Sequence, residues 1–180
     1  RHIGLAKRSI MVASAFGVHR AEIEDDYFVA VDDMNVRGTC GHLGNTPYSS
    51  AMMYHYVSID YSKLVANLRG DAKLATLAMR TLAEACATLS PRGHQSKFAH
   101  QGRAAYMLVE RGTQAPRSLA LAYLRPMASD CTVDQAARRL IETRDQIDGV
   151  YGKCWDDCAF FNVETPEGSL AQVLDFLGKT

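Results

Sequence analysis

The chain has 180 residues, 47% of them hydrophobic, and its 20 lysines and arginines balance 20 aspartates and glutamates. That is enough for one sizeable core in one domain with a protruding subdomain, and no stretch approaches the roughly 20 apolar residues of a membrane-spanning helix. Taken alone, the zero formal net charge argues against a nucleic-acid binder.

Ser9 to His19 alternates as a strand does, with Ile10, Val12, Phe16 and Val18 on one face and Met11, Ala13, Ala15 and Gly17 on the other. Tyr27 to Val31 reads as a second, short strand. From Asp32 to Pro47 the glycines Gly38, Gly41 and Gly44, with Asn35, Asn45 and Pro47, argue against the interior of any regular element. Alternation resumes from Ser49 to Ile59, so the two strands predict a long hairpin with an elaborated, glycine-rich tip.

Asp71 to Leu89 carries an apolar stripe at helical spacing: Leu74, Leu77, Ala78, Leu82, Ala85, Cys86 and Leu89. Gly70-Asp71 supplies its start and Ser90-Pro91 its end. Ala104 to Val109 and Leu119 to Leu124 read as two strands joined by the polar turn Arg111 to Ser118. Thr132 with Gln135 makes a capping box for a helix to about Val150, with Val133, Ala136, Leu140, Ile141 and Ile147 on its buried face. Ser169 with Gln172 repeats the signature before a short terminal helix carrying Leu170, Val173, Leu174 and Leu177. The order predicts an α+β fold whose antiparallel sheet is covered on one face and open on the other.

Five cysteines, Cys40, Cys86, Cys131, Cys154 and Cys158, form an odd and irregular set, which suggests reduced thiols in the cytoplasm rather than a disulfide framework. The Cys154–Cys158 spacing suits neither a redox pair nor a common zinc knuckle, and no metal or cofactor is expected. The opening Arg1 to Arg8 has no long apolar run behind it and does not read as a signal peptide. It begins with arginine rather than methionine, which points to a fragment or to a chain whose earlier part is not included.

Charge is unevenly distributed. Glu22, Glu24, Asp25, Asp26, Asp32 and Asp33 form an acidic stretch, while Arg92, Lys97, Arg103, Arg111, Arg117 and Arg125 stand against the single acid Glu110. A phosphate backbone responds to a local field that a neutral total conceals. Chance clustering of surface charge is the plain alternative.

A search for catalytic motifs finds no Gly-x-Ser-x-Gly elbow, phosphate-cradling glycine loop or paired-histidine zinc helix. The Glu22–Asp33 acids are the right type for a divalent cation, but neighbours on a strand point to opposite faces, so a solvated acidic surface is the simpler reading. His19 near Glu22 invites an acid–base guess against the simpler one of a hydrogen-bonded surface residue. In Thr39-Cys40-Gly41-His42-Leu43-Gly44-Asn45, flanking glycines let His42 and Leu43 project as a wedge between bases, and an ordinary loop is the alternative. The loop Ser90 to Phe98 mixes cations, amide and hydroxyl groups of the kind that contact phosphate and ribose. Tyr54 and Tyr56 suit either a stacking platform or half-buried packing.

Several linked motifs in order resemble CasC, the backbone subunit of type I-E CRISPR surveillance complexes (Cascade). They are Glu24-Asp25-Asp26-Tyr27-Phe28-Val29-Ala30-Val31-Asp32-Asp33, Gly41-His42-Leu43-Gly44, Tyr48-Ser49-Ser50 and Tyr54-His55-Tyr56-Val57-Ser58-Ile59-Asp60. Leu64-Val65-Ala66-Asn67-Leu68-Arg69-Gly70, Ser90-Pro91-Arg92-Gly93-His94-Gln95, Arg103-Ala104-Ala105-Tyr106 and Ala115-Pro116-Arg117-Ser118 continue the series. The resemblance implies a modified RRM or ferredoxin-like palm over 1–31 and 49–180, with a β-hairpin thumb at 32–48. It also implies that an amino-terminal part of the fold is missing, namely a strand, a basic serine-containing helix and the fingers.

The implied function is non-catalytic. Copies polymerise along CRISPR RNA beside other Cascade subunits, each thumb kinks the RNA of its neighbour, and exposed bases pair with target DNA in antiviral defence. By the same resemblance Arg37, His42, Leu43 and Asn45 of the thumb touch RNA, and Arg92, His94, Gln95, Lys97 and Arg103 contact phosphate or ribose. Gly17-Val18 and Val29 stand where relatives carry threonine, so Val29 is left with van der Waals contact. The competing readings are a metal-dependent nuclease using the Glu22–Asp33 acids, and an oligomeric scaffold without nucleic acid.

Overall fold

The computed structural model describes residues 8–31, 40–90, 93 and 99–179, with the backbone alone at 30, 31 and 40–42. The fold is α+β. Strands β1 (Ile10–Val12), β2 (Phe16–Gly17), β3 (Glu22–Val31), β4 (Cys40–Ser50), β5 (Met53–Tyr54) and β6 (Val57–Ile59) come first. Helices α1 (Tyr61–Asn67) and α2 (Ala72–Thr88) follow, then β7 (Tyr106–Arg111) and a 3₁₀ turn (Ala120–Tyr123). Helix α3 (Val133–Tyr151), β8 (Asp157–Asn162), β9 (Glu167–Gly168) and α4 (Leu170–Gly178) complete the chain.

The first six strands pair as nested rungs, β1 with β6, β2 with β5 and β3 with β4, all antiparallel. They form one long hairpin, broken by a bulge at each of the two gaps between rungs and shifted in register once more between Ala30 and Val31. Between Val12↔Val57 and Phe16↔Tyr54, four steps on the first strand answer three on the second. Between Gly17↔Met53 and Glu22↔Ser50, five steps answer three. Extra residues of this kind bend and twist a ribbon. The predicted strands Ser9–His19 and Ser49–Ile59 are therefore each interrupted.

The larger correction concerns Asp32 to Pro47. From Cys40 on, this stretch is strand, its ladder running from Val31↔Cys40 to Glu22↔Ser50 with one register shift between Ala30 and Val31. Both strands of a two-stranded ribbon are edges, where Pro47 opposite Asp25 is tolerated. Gly44 has a local reason: the Phe28 ring lies across it, and an added Cβ would collide with that ring. Glycine in a strand often marks such a close approach.

Helices α2 and α3 follow the sequence closely. Asp71 caps α2 by accepting from Leu74 N–H at 2.9 Å, and Thr132 and Gln135 form the full capping box of α3. Ser169 caps α4 through Gln172 N–H at 3.2 Å. Helix α1, which periodicity did not flag, starts where Asp60 accepts from Lys63 N–H at 2.9 Å. The buried face of α2 is Ala75, Met79 and Ala87, whereas Leu74, Leu77 and Leu89 of the predicted stripe are exposed.

Two strand assignments change. Leu119 to Leu124 is not β7's partner but contains the 3₁₀ turn, and β7 pairs with β8, which pairs in turn with β9. In place of one sheet with a covered face, the described residues form three two-stranded rungs and one three-stranded sheet. The apolar interior is likewise divided. Val18, Leu119, Tyr123 and Leu140 pack at the hairpin root. Leu64, Ala75 and Met79 pack between the first helices, and Ala87, Phe161 and Val173 pack behind β8.

Candidate nucleic-acid interface

In an antiparallel ladder, directly opposed residues share a face. One face of the β3–β4 hairpin thus carries Ile23, Asp25, Tyr27 and Val29 opposite Ser49, Pro47, Asn45 and Leu43. All eight are exposed. Tyr27 is 66% exposed, Val29 56% and Leu43 65%, unusual values for large apolar side chains on a strand. The hairpin packs chiefly on itself rather than on the body. Asn45 Nδ2 donates to Asp25 Oδ1 at 3.1 Å, so one polar link lies among the apolar groups.

Of the residues expected to contact RNA, Val29 and Leu43 are direct cross-strand partners, and Asn45 lies two residues along from Leu43. Sequence reasoning missed Ile23 and Tyr27 on the same face, although their spacing of two from Asp25 and Val29 carries the signal. Arg37, Arg92, His94, Gln95 and Lys97 lie outside the described residues, as does the side chain of His42, whose backbone pairs with Ala30.

Arg103 is exposed. It lines an open groove of about 2740 Å³ together with Arg8, Arg20, Tyr56 and Tyr106, and the carboxylates of Glu22, Glu24, Asp60 and Glu110 line the same groove. Burial raises the Tyr56 phenol and pushes that of Tyr106 up to about 12. Tyr54 is committed to packing. Its ring lies 5.3 Å from Phe16 and 5.6 Å from Tyr123, and its hydroxyl accepts from Leu119 N–H at 3.1 Å.

The basic band of the sequence does not act as one field. Arg111 pairs with Asp157 at 3.4 Å and lies over the Phe176 ring at 4.7 Å. Arg117 is enclosed: it meets Glu110 at 3.3 Å and Asp148 at 2.8 Å and contacts the Cys154 thiol. Arg144 approaches Glu110 at 3.9 Å, and Trp155 Nε1 donates to Asp148 at 2.8 Å. Burial, reinforced by Asp148, pushes the Glu110 carboxyl above its ordinary range, against the pull of Arg117 and Arg144.

On β3, Glu22, Glu24 and Asp26 share one face and Asp25 takes the other, while Asp32 and Asp33 lie outside the described residues. Among the described residues, no group of three or more His, Cys, Asp or Glu is placed to share a metal ion. None of the described helices is long and apolar enough to cross a membrane.

Comparison with known proteins gives this geometry a context. Residues 6–174 match the model of the family described as CT1975-like protein. The chain belongs to the CT1975-like family. This CT1975-like chain is also similar to a chain of a solved structure described as "CRISPR RNA-guided surveillance complex", at 27% identity and a TM-score of 0.73. That match covers 92% of this chain and 64% of the other. A second, described as "CRISPR RNA-guided surveillance complex, pre-nicking", shares the fold at 24% identity and a TM-score of 0.77, covering 97% of this chain and 49% of that one. The chain thus spans 64% and 49% of the lengths of these two solved chains. No curated protein matches this sequence.

Proposed function

We propose that this chain is a non-catalytic, CRISPR RNA-binding backbone subunit of a type I-E Cascade complex, of the CasC kind. In this reading 1–31 and 49–180 form an RRM-like palm and 32–48 the thumb, which the β3–β4 strands lead into. Copies of the chain assemble along CRISPR RNA in the cytoplasm with other Cascade subunits, and base pairing of the RNA captures target DNA. Family membership and the likeness to surveillance-complex chains support the setting.

The observation that carries the reading is the hairpin's exposed face. Tyr27, Val29 and Leu43 are displayed to solvent on a ribbon that packs on itself. Exposed aromatic and aliphatic groups beside an amide suit a nucleotide chain, because every base has a stackable face whatever its sequence. Arg103, Arg8 and Arg20 in the groove would meet phosphates. Backbone contact would then supply affinity and base pairing would supply sequence.

The test is a filter-binding titration against single-stranded RNA from about 50 mM to about 200 mM salt. The expected result is saturable binding whose logarithm falls linearly with the logarithm of salt concentration, equally for unrelated sequences. Absence of binding at the lowest salt would contradict the proposal.

A further inference from the structure

We propose that His19 is a positioning residue whose neutral imidazole closes the root of the β3–β4 hairpin, and that protonation of the ring opens it. The functional consequence rests on the hairpin's role in holding RNA. The closure itself rests on the hydrogen-bond pattern alone.

His19 lies in the second bulge, where the ladder between Gly17↔Met53 and Glu22↔Ser50 carries its extra residues. An antiparallel hydrogen-bonded pair normally exchanges two bonds. Here the exchange is half made. Val18 N–H donates to Met52 O at 2.9 Å, but Val18 O is diverted and accepts from Met127 N–H at 3.0 Å. The return bond from Met52 N–H goes instead to His19 Nε2, at 2.9 Å. A side chain thus replaces a carbonyl in the ladder, and it joins the residues on either side of the hairpin.

The two partners of the ring settle its tautomer. Met52 N–H is a donor only, so Nε2 must accept. Arg20 O, 2.9 Å from Nδ1, is an acceptor only, so Nδ1 must carry the proton. This is a neutral imidazole with both nitrogens committed. A proton on Nε2 turns the acceptor into a donor aimed at another donor, and the root bond is lost.

No carboxylate pairs with the ring among the described residues. Arg20, Glu22, Glu24 and His55 line the same groove as the ring, and along the chain Arg125 and Asp130 flank its bridge partner Met127. Arg20 N–H also donates to Met127 O at 3.2 Å, and His19 bridges Met127 in parallel. The bond therefore sits where the hairpin ribbon meets the 3₁₀ segment's core. Histidine is the side chain that ordinarily changes charge between about pH 5 and 8.

The experiment follows amide exchange and ring nitrogen shifts by NMR on the full ¹⁵N-labelled chain, with oligouridine binding measured in parallel. Uracil does not titrate over this range, so the RNA itself stays constant. In the parent protein the ring should show the Nδ1–H tautomer at about pH 7.5, and the Met52 protection factor should fall about fivefold by about pH 5.5. His19→Gln supplies an amide oxygen near the Nε2 position and cannot be protonated, so its Met52 protection should stay flat. An Nε2–H tautomer, or a parental protection factor that does not change, overturns the proposal without any variant. An equal fall in His19→Gln overturns it too. Because His42 and His94 are common to both proteins, the expected readout is the ratio: acid should weaken oligouridine binding in the parent relative to His19→Gln. If Met52 titrates as described while oligouridine binds at no pH, the closure stands and the RNA-binding function falls.

Discussion

The β3–β4 hairpin and the β7–β8 pair are both antiparallel ladders that carry runs of apolar residues, yet their surroundings differ. Behind β8, Phe161 is 7% exposed and packs with Ala87 of α2 and Val173 of α4. On the hairpin, Tyr27 and Leu43 stay about two-thirds exposed. A strand pattern states which residues share a face but not whether anything covers it. Where two helices pack behind the ladder, apolar groups make a core; where none does, they make a surface for something else. The arginines repeat the contrast, since Arg117 is enclosed by Glu110 and Asp148 whereas Arg103 is exposed to the groove.

Mutations can break this contrast, and the largest effect should come from the body. Arg117→Ala leaves Glu110 and Asp148 as neighbouring enclosed carboxylates without their shared cation. Urea denaturation should show a loss of about 3 kcal/mol. A loss below about 1 kcal/mol would mean that the ion cluster contributes little to holding the segment after β7 against α3. The hairpin should behave in the opposite way. Tyr27→Ser with Leu43→Ser should leave stability within about 0.5 kcal/mol, as exposed positions do, while RNA affinity falls about tenfold or more. A stability loss like that of Arg117→Ala would show that the hairpin face is covered in solution.

Smaller effects sharpen the same picture. Arg103→Ala should weaken RNA binding a few-fold and reduce the salt slope by about 1, whereas Arg111→Ala, already paired with Asp157, should leave the slope alone. The smallest effects are those of pH. Because Glu110 is raised by burial, the folded chain keeps that proton to higher pH than the unfolded chain. Its contribution is therefore full below the ordinary carboxylate range and declines as pH rises through the folded-state value. Asp60 is lowered by its hydrogen bonds from Lys63, so its contribution is present above the ordinary range and is lost as pH falls through the lowered value. Denaturation between about pH 2 and 7 should show Asp60→Asn removing a slope below about pH 4 and Glu110→Gln removing a slope of opposite sign above about pH 4, each relative to the parent.

Much of the helical part was legible because caps are local. Asp71 before α2 and the Thr132–Gln135 box before α3 each announce a helix within a few residues. Strand pairing is not local. Asp157 to Asn162 has little strand character alone and becomes β8 because β7 offers an edge across α3. Leu119 to Leu124 has the composition of a strand but turns into the hairpin-root core, where Leu119 and Tyr123 are buried. Residues 40–47 look like a loop because Gly44 and Pro47 are read singly, whereas β3 supplies both the Phe28 ring and an edge position. At the candidate site, Val29, Leu43 and Asn45 came from motif and resemblance. Ile23 and Tyr27 emerged once the register was known. The neutralisation of Arg117 was not legible, since Asp148 and Cys154 lie far along the chain.

Photocrosslinking from the hairpin tests the central claim most directly. A photoreactive phenylalanine would replace Leu43 in one preparation and Tyr151, exposed at the end of α3, in another, each irradiated with bound single-stranded RNA. The account predicts covalent RNA adducts from position 43 and none from position 151. RNA bound with normal affinity but crosslinked only from the body would contradict it.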